Sequence, residues 1–74
     1  MIATLRRKYR LTPTQARVAM LLADRLTNAE IAIQLRVRPS TARRHTEAVL
    51  LRLGLSSRFK VVTTLADVLV ELAS

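Results

Sequence analysis

The 74-residue chain contains no cysteine and no tryptophan, and it has a single histidine. Without thiols it can form neither disulfides nor thiolate metal sites, and one histidine cannot build a metal cluster, so we expect no cofactor. No apolar run approaches the roughly 20 residues that span a bilayer, and the start of the chain lacks the unbroken apolar stretch of a signal peptide. We therefore expect one small cytoplasmic domain.

Negative charge is also scarce. Five acidic residues stand against thirteen basic ones, which gives a net charge of +8. All thirteen cations lie in residues 1–60, whereas residues 61–74 hold two acids and no cation. Most of the cations are arginines, whose planar guanidinium groups match phosphates and guanine edges. This layout predicts a polyanionic partner, with residues 61–74 kept away from it.

With one glycine and two prolines, the sequence predicts an all-α fold. A capping box at Thr12 and Gln15 begins a helix that runs to about Arg25, and a second box at Thr27 and Glu30 begins a short one. A third helix is predicted from Pro39 to about Leu53, where Gly54 supplies a left-handed stop, and a fourth from Ser56 or Ser57 to about Ala73. The predicted domain covers 11–74, and residues 1–10 are predicted to form a basic arm or a short helix.

The second and third predicted helices are joined by three residues, as in a helix-turn-helix. On the third helix, Arg43, Arg44 and Glu47 lie opposite the apolar face. In a helix-turn-helix this half of the helix enters the major groove, where arginine can contact guanine and glutamate can contact cytosine. The alternative is an ordinary solvated face with an ion pair between Arg43 and Glu47.

Five sequence blocks occur in one order and at one spacing. They are Leu-Thr-Pro-Thr-Gln at 11–15, Leu-Leu-Ala at 21–23, Thr-Asn-Ala-Glu-Ile-Ala at 27–32, Thr-Ala-Arg-Arg-His at 41–45 and Leu-Gly-Leu-Ser-Ser-Arg at 53–58. Together they resemble the LuxR/GerE/FixJ family of bacterial DNA-binding output domains, over about residues 11–70.

The resemblance implies a four-helix bundle in which helices two and three form the helix-turn-helix and helix four pairs two copies. It implies a transcription regulator that binds double-stranded DNA at a short inverted repeat as a homodimer. Such domains are commonly fused to a sensor or receiver domain, and RNA polymerase is a further expected partner. The implied mechanism is binding, and the sequence contains no combination of residues typical of an enzyme.

The resemblance and the helix ends together predict individual contacts. Arg43, Arg44 and Glu47 are the expected base contacts. For Arg43 a phosphate contact stays open, and for Glu47 the alternatives are rejection of other bases by repulsion and steering of the two arginines. His45 is expected to have a structural role at the edge of the core. The expected phosphate contacts are Thr27, Asn28, Ser40, Thr41 and Arg58, although capping alone explains Thr27 equally well.

The fourth predicted helix has an apolar arc wider than one contact with a small bundle requires. We expect Leu65 and Leu69 to face the core, which leaves Val61, Val68 and Leu72 for the partner helix of a dimer. The alternative is a helix that is inserted more deeply into its own bundle.

Four positions depart from the family pattern. Ala42 in the third helix replaces a valine. Gln15 replaces a glutamate, Arg25 replaces a frequent glycine, and Arg38 replaces a capping serine, so Ser40 is predicted to cap a shortened third helix. Two other functions stay open: the promoter-binding domain of a sigma factor, and a basic amphipathic protein that binds membranes or acidic proteins.

Overall fold

The computed structural model describes residues 1–73, and Ser74, the last residue of the predicted domain 11–74, lies outside the described residues. Within that range the chain forms helices and no strand, as the sequence predicts. The elements are α1 (Ile2–Tyr9), α2 (Pro13–Ala23), α3 (Asn28–Leu35), α4 (Pro39–Leu53), a short 3₁₀ helix (Arg58–Lys60) and α5 (Val61–Ala73).

The first ten residues form a helix, α1, and not an extended arm. Leu5 is completely buried and Tyr9 packs against the core from its edge. Lys8 donates a hydrogen bond to the Glu71 carboxylate near the end of α5, which ties the two ends of the chain together. The described chain therefore has five α-helices, one more than the four-helix bundle that the sequence predicts for residues 11–74.

Both predicted capping boxes are confirmed. The Thr12 hydroxyl accepts from the Gln15 amide at 3.1 Å, while the Gln15 side chain accepts from the Thr12 amide at 3.0 Å. Thr27 and Glu30 make the same exchange at 3.2 and 2.8 Å. Because each box satisfies two amides that the first turn leaves without partners, α2 and α3 begin at sharply defined residues.

A residue with positive φ follows each of the helices α1 to α4. Arg10 (57°), Arg36 (57°) and Gly54 (71°) are the C-caps of α1, α3 and α4, and Arg25 (64°) follows Asp24, the C-cap of α2. After each of them, the next amide donates to the carbonyl five residues back, at 2.9 to 3.2 Å. These four amides belong to Leu11, Leu26, Val37 and Leu55.

The glycine that the family often has before α3 is thus replaced by an arginine in the same left-handed conformation. The left-handed region costs a residue with a Cβ about 1 kcal/mol or more relative to glycine. The hydrogen bond that closes each turn and the apolar residue that follows it offset this cost.

The cap at the start of α4 differs from the prediction. Arg38 is the N-cap residue, and its side chain makes no capping hydrogen bond. The helix nevertheless begins at Pro39, whose fixed φ suits the first helical position. Ser40 therefore lies inside the first turn, and the expectation that it caps a shortened helix is wrong.

The core lies between α2, α4 and the flanking helices, with α4 in contact with both α2 and α3 and with α1 and α5 packed on α2. Thr46 is the polar side chain buried within the described residues. The buried apolar residues are Leu5, Leu11, Ala16, Val18, Ala19, Leu22, Ile31, Ala32, Ala42, Val49, Leu53, Val61, Leu65 and Val68.

The face of α5 that packs on the core is also different from the one predicted. Val61 and Val68 are completely buried, so they belong to the core and are not available to a partner helix. Leu69, predicted to face the core, is 54% exposed, whereas Leu65 is buried as predicted. Leu72 is 52% exposed and stays accessible. The burial of Val61 and Val68 corresponds to the alternative of a helix inserted more deeply into its own bundle.

The capping residue before α5 is Ser57, whose hydroxyl accepts from the Phe59 amide at 3.3 Å. This cap begins the 3₁₀ turn, and α5 itself starts at Val61. None of the helices in the described part of the chain is long and apolar enough to cross a membrane.

Candidate nucleic-acid interface

Helices α3 and α4 are joined by residues 36–38 and pack directly on each other. Arg36 in the left-handed conformation ends α3, and its amide donates to the Ala32 and Ile33 carbonyls. Ala42, Thr46 and Val49 bury the inner side of α4. Since α4 is about 22 Å long, its opposite side forms a long exposed surface.

The outer side of α4 begins with a shallow, open depression between α3 and α4. It brings together five of the eight residues predicted to contact DNA, and Pro39 completes its lining. The residues that line it are Asn28, Pro39, Ser40, Arg43, Arg44 and Glu47.

Arg43 and Glu47 form an ion pair within this depression. The Arg43 Nε atom lies 3.1 Å from Glu47 Oε1, and both side chains are well exposed, at 72% and 63%. An exposed pair at this spacing contributes only about 0.3–0.5 kcal/mol to stability. The ion pair therefore contributes little to the stability of the fold.

Asn28, at the start of α3, is the centre of a hydrogen-bond cluster. Its Oδ1 atom accepts from Arg58 Nη1 at 2.9 Å and from Thr46 Oγ1 at 3.3 Å. Arg58 Nη2 also donates to the Leu26 carbonyl at 2.7 Å, and Thr46 to the Ala42 carbonyl at 3.0 Å. The cluster joins α3, α4 and the 3₁₀ turn before α5. We call it the Asn28 cluster.

This cluster was not predicted from the sequence. Asn28 and Arg58 are each predicted to contact phosphates, and no contact is predicted for Thr46. A threonine on the otherwise apolar face of α4 is the one signal that could have revealed it, because a buried hydroxyl requires a hydrogen-bond partner. Asn28 lies 18 residues from Thr46 and 30 residues from Arg58 along the chain, so these pairings depend on the fold.

The other predicted phosphate contacts differ in how exposed they are and in whether their polar groups are already hydrogen-bonded. Thr27 is exposed, and its hydroxyl is occupied by capping the Glu30 amide. Ser40 is exposed at the depression, while Thr41 is half-buried and does not line it. Arg58 lies partly buried behind Asn28, with two of its guanidinium nitrogens already bonded to protein oxygens.

Two ionisable side chains have shifted pKa values. The Thr27 amide donates to the Glu30 carboxylate, and this hydrogen bond, assisted by the Thr27 side chain, lowers the pKa of Glu30. The hydrogen bond to Glu71 raises the pKa of Lys8. Glu30 belongs to the capping box at the start of α3, and Lys8 is paired with Glu71 near the end of the chain. Neither residue lies in the depression, so these pKa shifts do not affect the candidate interface.

His45 is partly buried at the edge of the core, on the side of α4 away from the depression. Across residues 1–73, no group of three or more histidine, cysteine, aspartate or glutamate side chains could hold a metal ion. The depression offers guanidinium groups, an amide and a hydroxyl, which are groups suited to phosphate oxygens and base edges.

The packed pair of α3 and α4, with a polar and charged outer surface on the second helix, defines a helix-turn-helix DNA-binding domain. Residues 9–65 match the model of the family described as bacterial regulatory proteins, luxR family. Because this match covers most of the chain, the protein belongs to that family. It is a DNA-binding transcription-regulator domain, and the members of this family are regulators and not enzymes.

The family match does not include two parts of the structure. Helix α1 up to Lys8 and the second half of α5 lie outside residues 9–65. No curated protein and no solved structure matches the chain.

Proposed function

We propose that this domain binds a specific double-stranded DNA sequence through the outer surface of α4, as a dimer on a short inverted repeat. The observation that carries the proposal is the depression that places Arg43, Arg44 and Glu47 beside Asn28 at the start of α3. A DNA-binding regulator acts at the bacterial nucleoid, so the proposed location is cytoplasmic.

Affinity and specificity come from different groups in this proposal. The net charge of +8 releases counterions from DNA and supplies affinity that does not depend on sequence. Ser40, Thr41, Thr27, Asn28 and Arg58 are the proposed phosphate contacts, and for Arg58 only the N–H groups that are not bonded to Asn28 and Leu26 remain available. These contacts set the register of the protein on the duplex.

Base contacts supply the discrimination. Arg43 and Arg44 are exposed on the half of α4 that enters the major groove in a helix-turn-helix. A guanidinium that donates to guanine O6 and N7 contributes about 1–3 kcal/mol of preference over the wrong base. Glu47 is the third residue proposed to act on base preference, either as an acceptor for cytosine N4 or through Arg43, with which it pairs.

Helix α5 is the proposed dimer contact. Leu72 remains from the predicted set, and the exposed Val62 and Leu69 replace the buried Val61 and Val68. Val62 and Leu69 are exposed two turns apart on the same side of α5, at 37% and 54%. Asp67 and Glu71 lie on another arc of the helix, so this apolar row carries no charge. A two-fold axis through this row would place two α4 helices in successive major grooves, about 34 Å apart.

Selection of bound sequences from a random duplex pool tests the proposal. We expect an enriched inverted repeat with half-site centres about 10 base pairs apart. A single enriched half-site would contradict the dimer, and the absence of any enriched sequence would contradict sequence-specific binding.

Arg43→Ala tests the base contact. We expect affinity for the selected duplex to fall by about 1–3 kcal/mol, with a much smaller loss on a scrambled duplex, because a base contact is lost only where the base is correct. Arg52→Ala is the matched control: it removes an exposed arginine from the same helix but not from the depression. Equal losses on both duplexes for Arg43→Ala would show a phosphate contact instead.

The family resemblance extends the proposal to two further partners. RNA polymerase is one, and a sensor or receiver domain that controls this domain is the other. Ile33, on the outside of α3, is 75% exposed and offers an apolar contact away from the depression.

A further inference from the structure

The ion pair between Arg43 and Glu47 places a carboxylate where the proposed DNA contact needs positive charge. Glu47 is one of three acids among residues 1–60, and it lies inside the depression that faces the DNA. A carboxylate at this position repels phosphates, so it lowers affinity for every duplex alike. Its contribution to folding is too small to account for it, which leaves an effect on the neighbouring arginines.

The geometry of the pair limits what Arg43 can do. Glu47 Oε1 accepts from Nε of Arg43 at 3.1 Å, so the Nη1 and Nη2 groups at the far end of the guanidinium are left for other partners. Two parallel N–H groups at that end match the O6 and N7 atoms of guanine. At the same time, the carboxylate neutralises much of the charge that would attract a phosphate to Arg43.

Arg44 provides the internal comparison. It lines the same depression and is exposed, yet within residues 1–73 it has no ion-pair partner. It is free to follow a phosphate or a base as the DNA approaches. Two adjacent arginines on one surface thus differ in whether a carboxylate holds them.

From this difference we infer that Glu47 is a specificity-determining positioning residue: it holds Arg43 for guanine and suppresses its use as a phosphate contact. The inference rests on the proposed function and assigns Glu47 a role that acts through Arg43. Glu47 then raises the ratio of specific to non-specific binding while lowering total affinity. A direct cytosine contact by Glu47 would have a different signature in the same measurements.

Glu47→Gln tests the inference, because it keeps the size of the side chain and removes its charge. Freed Arg43 should neutralise one more phosphate on a scrambled duplex, which steepens the slope of log K against log salt by about 0.9. At 0.1 M salt this corresponds to about eightfold tighter non-specific binding. Binding to the selected duplex should gain less, so the specificity ratio should fall.

A double-mutant cycle separates positioning from general electrostatics. In an Arg43→Ala background, Glu47→Gln should no longer steepen the salt slope, since the arginine that it releases is absent. Asp67→Asn on α5 is the control for the same change of charge outside the depression, and it should leave the specificity ratio unchanged. Circular dichroism melting curves of all variants establish that the fold is intact.

Base preferences give the second readout. Selection with Glu47→Gln should relax the same guanine position that Arg43→Ala relaxes. Loss of preference at a separate cytosine position, with unchanged non-specific affinity, would overturn the inference in favour of direct base contact. A full Glu47→Gln effect in the Arg43→Ala background would also overturn it. Failure of the wild-type domain to select any sequence would contradict the proposed function itself, so the two failures are distinguishable.

Discussion

The outer surface of α4 and the outer surface of α5 are both exposed, but they differ in chemistry. The α4 surface is charged and polar: Arg43 and Glu47 form an ion pair on it, and Asn28 lines the same depression. The α5 surface carries apolar side chains such as Val62 and Leu69. The first has the chemistry of a surface for a hydrated polyanion, and the second that of a surface for another apolar helix.

The difference also determines how well each surface could be predicted. In the first half of α4 the outward residues are charged, so the helical period separates inside from outside there, whereas Leu51 in the second half is an apolar residue that is 81% exposed. On α5 apolar residues surround most of the helix, and period alone cannot tell which arc faces the core. Neighbouring residues on α5 therefore provide the most direct experiment.

Substitution of two consecutive residues on α5 should give the largest contrast. Val68→Asp places a charge in a completely buried site, which costs several kcal/mol and should unfold a domain of this size. Leu69→Asp changes an exposed residue and should leave the thermal midpoint of dilute protein nearly unchanged while abolishing the dimer. Circular dichroism and sedimentation measure the two effects.

The comparison between these variants is the control. If Val68→Asp remains folded and becomes monomeric, Val68 faces a partner after all, as the sequence predicted. If Leu69→Asp sediments as the wild type does, the dimer contact lies elsewhere on the molecule.

Arg58, in the 3₁₀ turn between α4 and α5, should give an intermediate effect. Arg58→Ala removes the hydrogen bonds to Asn28 and the Leu26 carbonyl, and we expect a loss of about 1–3 kcal/mol in the free energy of unfolding. Binding to selected and scrambled duplexes should weaken alike, because the start of α3 loses its support. Denaturant unfolding and binding titrations measure these losses.

Arg58→Lys distinguishes the structural role from a phosphate contact. Lysine keeps the charge but cannot make both hydrogen bonds in the geometry of a guanidinium, so its stability should be close to that of the alanine variant. Wild-type stability for either variant would show that the Asn28 cluster does not support the fold.

The two capping boxes give the smallest predicted effect. Because the pKa of Glu30 is lower in the folded state than its ordinary value of 4.5, its contribution to stability is present above that pH. The contribution is lost as the pH falls through the folded-state pKa. Glu30→Gln turns the box at α3 into one with an uncharged acceptor, like the Gln15 side chain in the box at α2. The difference in unfolding free energy between wild type and this variant should therefore shrink on acidification below pH 4.5.

Denaturant unfolding from pH 7 down to pH 3 measures this effect. Gln15→Glu is the reciprocal variant, and it should introduce the same pH dependence at α2. A difference between wild type and Glu30→Gln that is constant over this range would mean that the Thr27 hydrogen bonds do not favour the ionised carboxylate.

Local signals predicted most of the fold. The capping boxes at Thr12 and Thr27, the proline at 39 and the glycine at 54 each act within a few residues, and all four helix limits that depend on them are confirmed. For residues 1–10 the sequence does not distinguish a helix from an arm. The eight residues of α1 are too few for a periodic pattern, and the stability of α1 depends on the burial of Leu5 by the rest of the chain.

The candidate interface was predictable to a different degree. Residues on one helix, such as Arg43 and Glu47, share a surface because of the helical period, and their pairing follows from i,i+4 spacing. Contacts between helices do not follow from spacing. Asn28, Thr46 and Arg58 meet because three separate elements pack together, so their hydrogen bonds became visible only in the structure.

The left-handed arginines at the ends of α1, α2 and α3 have a consequence for protein engineering. Replacement of Arg10, Arg25 or Arg36 by glycine would relieve backbone strain at the helix end, yet each replacement removes one unit of the +8 net charge. It would also remove a cation that favours the negative end of a helix dipole. A more heat-resistant domain obtained in this way would bind polyanions less tightly. At these three residues, a gain in thermal stability is therefore accompanied by a loss of affinity for DNA.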